Sequence, residues 1–179
     1  MQARQLRFQM QCLAIVLGMV AAWPTVVAAD AEGFVVLPDN TPRFSGPGGR
    51  ESNVFEILAT REQTGGVFGL FRLTVAPQGG PGVHIHRGED EFFYVLQGEF
   101  HFKVGDRVVS SPVGTFVFVP RGQGHTFQNL STEPGVLLGG VLPGGLEGLF
   151  TETSGADAEQ LKKLAEKYRI EFIGPPLGR

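Results

Sequence analysis

Three histidines and one glutamate are spaced so that they can act together. His84-Ile85-His86 sets two imidazoles two residues apart. On an extended strand that spacing puts both rings on one face. Glu91 follows after a gap long enough for a turn and the start of the next strand, and His125 comes later, just after Pro120-Arg121-Gly122-Gln123-Gly124. Three imidazoles and a carboxylate form a borderline ligand set that suits iron, nickel, manganese, cobalt, zinc or copper. Four protein ligands on an octahedral ion leave two positions for water or substrate. A structural zinc site more often fills its sphere with protein groups, commonly sulfur. The alternative for Glu91 is a simple ion pair with Arg87 or Arg121. The fourth histidine, His101, lies between Phe100 and Phe102 and reads as structural, and Glu89 and Asp90 read as a solvated hairpin tip.

These residues sit among short apolar runs that alternate with period two, separated by turn signals every ten or so residues. That pattern argues for an all-β sandwich or barrel. Phe71, Leu73 and Val75 share one face of a run whose other face carries Arg72 and Thr74. Phe93 and Val95 alternate with Phe92, Tyr94 and Leu96, which predicts a strand buried on both sides, and Phe116 and Phe118 alternate with Val117 and Val119. Val104-Gly105-Asp106-Arg107 reads as a tight hairpin turn. One helix is expected near the end. Asp157 can cap it, Gln160 completes a capping box, and Leu161, Leu164, Ala165 and Tyr168 form its apolar stripe.

The chain has 179 residues. Arg4 and Arg7, the apolar run Cys12–Trp23 and the small-residue exit Val27-Ala28-Ala29 are the three parts of a secretory signal. Residues 1–29 are therefore expected to be removed on export to the periplasm or beyond. A membrane anchor is the alternative, but Pro24 interrupts the run, and a stable span needs roughly 20 unbroken apolar residues. Residues 30–50 read as a Pro/Gly-rich arm with a strand at Phe34–Leu37, residues 51–153 as the barrel, and residues 154–179 as a helix and tail packing on it. Cys12 is the only cysteine, so the mature chain has neither a disulfide nor a thiolate ligand. The formal charge of −3 becomes −5 without Arg4 and Arg7, and no basic stripe points to nucleic acid.

The spacing resembles that of the cupin superfamily. His84-x-His86-x4-Glu91-x6-Gly98 is similar to its first signature, with Gln78 where an early glycine is usual. Gly114-x5-Pro120-x-Gly122-x2-His125-x3-Asn129 is similar to the second at every position. The resemblance implies a jelly-roll β-barrel with one divalent transition metal (Ni, Mn, Fe, Co, Cu or Zn) held inside by His84, His86, Glu91 and His125. The run Val83–Glu99 and the tail Leu164–Pro176 further resemble single-domain bacterial cupins similar to the quercetin dioxygenases. That likeness implies cleavage of a flavonol or related aromatic enol with O2, and Glu91 would either take the substrate's proton or stay a ligand. Phe71, Phe93, Phe116 and Phe118 are the expected pocket walls, from strand alternation. Two other classes share the ligand set: an oxalate-cleaving, germin-like cupin, which needs a polar anion pocket with an arginine, and a non-catalytic exported protein that binds metal or a small ligand. Cupins often pair through an N-terminal arm, which makes a homodimer plausible.

Overall fold

The computed structural model describes residues 31–46, 53–153 and 156–178. The expected export signal lies outside them. Among the described residues, no helix is long and apolar enough to cross a membrane.

Among the described residues, eleven strands run in chain order: β1 Arg43–Ser45, β2 Asn53–Ala59, β3 Gly69–Val75, β4 Val83–His86, β5 Asp90–Gln97, β6 Phe100–Val104, β7 Arg107–Ser111, β8 Phe116–Val119, β9 His125–Asn129, β10 Gly135–Leu142 and β11 Ile170–Gly174. Two helices, α1 Glu147–Glu152 and α2 Ala158–Lys167, fall between β10 and β11. The strands make a six-stranded sheet, β1-β2-β3-β10-β5-β8, and a five-stranded sheet, β11-β4-β9-β6-β7. Every strand pairing is antiparallel. The inner faces close on each other as the expected all-β jelly-roll barrel.

Alternation decides what fills it. Phe71, Leu73 and Val75 point inward from β3, and Phe93 and Val95 from β5. Burying one such side chain contributes about 1.5–3 kcal/mol. Phe93, Phe102 and Phe127 pack with ring centroids 5.4–5.6 Å apart. Phe150 of α1 stacks on Phe55 at 3.8 Å and meets Phe71 edge-on at 4.9 Å. Two glycines in the middle of β10 make room for rings on both sides of one sheet: a side chain at Gly139 would strike the Phe71 ring inside, and one at Gly140 the Phe92 ring outside.

Turn chemistry follows the sequence closely. Gly105 takes a left-handed φ of 59° in the predicted hairpin turn between β6 and β7. Asp157 caps α2 with both halves of the capping box present, its side chain accepting from Gln160 N at 2.9 Å and its N–H donating to Gln160 Oε1 at 2.8 Å.

Several expectations need correction. Phe34–Leu37 is not a strand; a 3-10 turn at Pro38–Asn40 follows it, and the arm's strand is β1, paired with β2 of its own chain. β5 is not buried on both sides, since Tyr94 is 40% exposed on its outer face. Phe116 and Phe118 also point outward, 62% and 51% exposed, because the inward parity of β8 belongs to Val117 and Val119. Neither phenylalanine walls the interior. The tail does more than pack on the barrel: β11 extends the five-stranded sheet beside β4.

Candidate metal centre

β4 carries His84 and His86 on its buried face, with Val83 and Ile85 on the other. β9 lies beside it, and His125 is the register partner of His84. Glu91 comes from β5 in the opposite sheet, so the carboxylate reaches the imidazoles across the barrel. A turn locks the parts together: Gly122, at φ 82°, donates its N–H to the His86 carbonyl at 2.7 Å just before β9 begins.

All four side chains are buried, and one donor atom from each lies within 4.8 Å of all the others. Glu91 Oε2 is 2.8 Å from His125 Nε2 and 3.2 Å from His86 Nε2. His84 Nδ1 lies 2.8 Å from the Gly82 carbonyl, and His125 Nδ1 lies 3.1 Å from the Gln123 carbonyl. A carbonyl accepts only, so in each ring Nδ1 carries a hydrogen and Nε2 is the nitrogen turned inward. This is the orientation a metal-binding imidazole needs.

At His125 the consequence is sharp. There Nε2 faces a carboxylate oxygen at 2.8 Å, and the two atoms can sit that close only with a cation between them. A proton or a metal ion meets the requirement. His86 repeats the signal: its Nδ1 is buried without a hydrogen-bond partner, and its Nε2, though 3.2 Å from Glu91 Oε2, makes no well-aligned hydrogen bond. The residues present therefore fit a divalent ion.

The electrostatics agree. Burial, helped by His125 and His86, pushes His84 down to about 3, so it is a neutral ligand at ordinary pH. Burial works against the charge of Glu91, but His86 and His125 outweigh it and hold the carboxyl well below its usual range. Burial also opposes a proton on His86, yet the Glu91 carboxylate beside it raises it overall.

The alternatives for these residues resolve. Arg87 pairs with Glu171 and Arg121 with Asp90 at 2.9 Å, so neither arginine is the partner of Glu91. Asp90 is thus a paired residue, not a free hairpin tip. Glu89 also departs from the expected solvated tip: its Oε2 is buried and unpartnered, and burial raises its carboxyl against the pull of His86 and Arg169. Nothing in its local sequence marks it. His101 stands on the face of β6 opposite Phe100 and Phe102, apart from the cluster. Asn129, the last residue of the second signature, is fully buried and structural; its Nδ2 donates to the carbonyls of Val75, Ala76 and Glu133 at 2.9–3.2 Å.

A cavity of about 470 Å³ opens onto His84, His86 and Glu91. Phe71 and Phe93 line it, as expected. Phe55, Phe127, Leu146, Leu149, Phe150, Leu161, Ile170 and Phe172 line it too, and they were not anticipated. Several come from α1, α2 and β11, whose place against the barrel no local pattern announces. No arginine or lysine is among the lining residues.

No curated protein matches the chain. Solved structures do. An RmlC-like cupin from Shewanella frigidimarina is 20% identical with a TM-score of 0.55, over 65% of this chain and 96% of that one. A predicted oxalate decarboxylase from Thermotoga maritima is 24% identical, also at 0.55, over 62% of this chain and 99% of that one. The polyketide cyclase RemF from Streptomyces resistomycificus is 21% identical with a TM-score of 0.53, over 62% of this chain and 80% of that one. At such identities the likeness is one of fold. A family model described as a cupin domain matches residues 71–139, the stretch that contains all four converging side chains. The barrel and the matched segment agree: residues 71–139 match the cupin domain, and the barrel that carries them has the fold of these cupins.

Proposed function

We propose that the chain is a metal-dependent dioxygenase that opens an aromatic enol of the flavonol type, with His84, His86, Glu91 and His125 as the metal ligands. One observation carries the reading: the cavity that ends on the ligand set is walled by aromatic and aliphatic side chains and has no cationic residue. Its size of about 470 Å³ falls in the usual range for sites that enclose a small organic molecule. A small dianion such as oxalate would find no arginine or lysine there, and burying its charge without a partner is costly. The oxalate-cleaving alternative therefore has the wrong wall.

A bound divalent ion would supply positive charge to an ionised substrate hydroxyl and, if redox-active, a route for electrons toward dioxygen. The remaining work falls to the chain's own residues. Phe71, Phe93 and Phe127 exclude water and hold a flat ring system against the ligand set. Glu91 is ionised and faces the cavity, so its carboxylate can receive the enol proton. Two imidazoles hold Glu91 at hydrogen-bond distance, so keeping that proton requires one of those contacts to loosen. In the overall reaction the flavonol takes up one dioxygen and releases one carbon monoxide.

The test is direct. Purified protein loaded with nickel, manganese, cobalt or iron should consume oxygen and release carbon monoxide when given a flavonol. If no metal supports either signal, the dioxygenase reading fails; tight ligand binding without turnover would then favour the non-catalytic alternative.

A further inference from the structure

Phe172 occupies an unusual position. Its register partner across β11 and β4 is His84, just as Ile170 is the partner of His86. It therefore shares the inner face with the metal-ligating side chains, and its ring centroid lies 5.7 Å from that of His84. Yet it is 61% exposed, far more than Phe71, Phe93 or Phe127, which line the same cavity. The topology explains this: among the described residues β11 is the edge of its sheet, with β4 on one side and no strand on the other. An inward-facing ring on an edge strand stands at the mouth. The strand that presents it is firmly held. Glu171 accepts a charge-assisted hydrogen bond from Arg87 Nε at 3.1 Å, the Arg87 N–H donates to the Arg169 carbonyl at 3.1 Å, and Val83 N–H donates to the Pro175 carbonyl at 3.3 Å.

We propose that Phe172 is an aromatic subsite at the cavity mouth, which stacks on the outer ring of a planar ligand whose other end reaches the metal position beside His84. This deepens the dioxygenase reading and rests on it. A fixed, half-wet phenyl face gains from being covered by another flat ring, and ring pairs prefer offset or tilted stacking. A ligand too short to reach the mouth gains nothing from it. Phe172 therefore selects for ligand length and flatness, while the ligand set selects for the ionisable hydroxyl. The subsite lies outside residues 71–139, the segment the family model matches, on the tail strand that pairs with β4.

The test uses the full chain loaded with zinc, which is redox-inert, so that binding is read without turnover. Two probes are titrated by calorimetry: a flavonol, and acetylacetone, a small enol that can reach the metal but not the mouth. Phe172→Ala should weaken the flavonol about tenfold and leave acetylacetone within about twofold. Phe172→Leu should also weaken the flavonol, and Phe172→Trp should restore it, with zinc content unchanged in every variant. Equal loss for both probes would make Phe172 a support for His84 and overturn the subsite, and so would no loss for either. If wild-type protein binds acetylacetone but not the flavonol, the aromatic-substrate reading itself fails and the subsite with it. That failure is visible before any variant is made.

Discussion

The segment 71–139 and the stretch from α1 to β11 face each other across one cavity, and they divide its work. The first contributes every converging imidazole and carboxylate, from strands paired on both sides or held by tight turns. The second contributes no ligand. It supplies Leu146, Leu149, Phe150, Leu161, Ile170 and Phe172, which shape what can approach. Its attachment differs as well. The ligand strands are joined by ladder hydrogen bonds, whereas the start of α1 is tied down by one buried carboxylate, Glu147. Its Oε1 accepts from the Arg61 N–H and its Oε2 from the Gly145 N–H at 2.7 Å. The candidate ligands thus sit on strands paired on both sides, and the cavity's outer wall on two helices and an edge strand laid beside them.

Three substitutions break or sharpen that division. The largest effect is expected for His125→Ala, which removes a ligand and leaves Glu91 buried beside His86 alone. Metal affinity should fall by more than about a hundredfold, a loss beyond what outer-shell changes cause. Elemental analysis after dialysis reads it, and full metal retention would mean the cluster is not the site. Next is Glu147→Ala, which orphans two backbone N–H groups at once and should cost about 2–4 kcal/mol in urea denaturation. Metal content should hold, because Glu147 touches no ligand; metal lost in proportion to stability would erase the boundary between the two regions. The smallest effect is a gain. Gln78 has a left-handed φ of 57°, a conformation that carries a penalty for any residue with a Cβ. Gln78→Gly should stabilise by about 0.5–1 kcal/mol once the entropy of glycine is subtracted. A lower urea midpoint would show that its hydrogen bond to the Leu130 carbonyl outweighs the backbone term.

Gln78 also illustrates why the site was so legible. It stands where the first signature usually has glycine, and the backbone there keeps the left-handed shape that glycine would favour. Gly98, Gly114 and Gly122 have φ values of 86°, 91° and 82°, so those signature positions mark turns that few other residues can make. Short-range signals of this kind survive in sequence: the two-residue spacing of His84 and His86, the capping box at Asp157 and the hairpin at Gly105. What depended on neighbours far along the chain did not. In Phe92–Leu96 every position is apolar, so period two gives no preferred face, and only the position of β5 between β10 and β8 decides which side is wet. Phe116 and Phe118 were misplaced for the same reason. β11 is five residues whose burial depends on β4, some ninety positions earlier, and α1 is a turn and a half whose buried glutamate looks in sequence like any surface acid.

The edge position of β11 has a consequence for how such a barrel diversifies. Among the described residues it is the last strand, and it has a neighbour on one side only. Replacing its inward side chains disturbs no second ladder and shifts no downstream register. A few codons can therefore reshape the mouth of the cavity while the four candidate ligands are inherited unaltered.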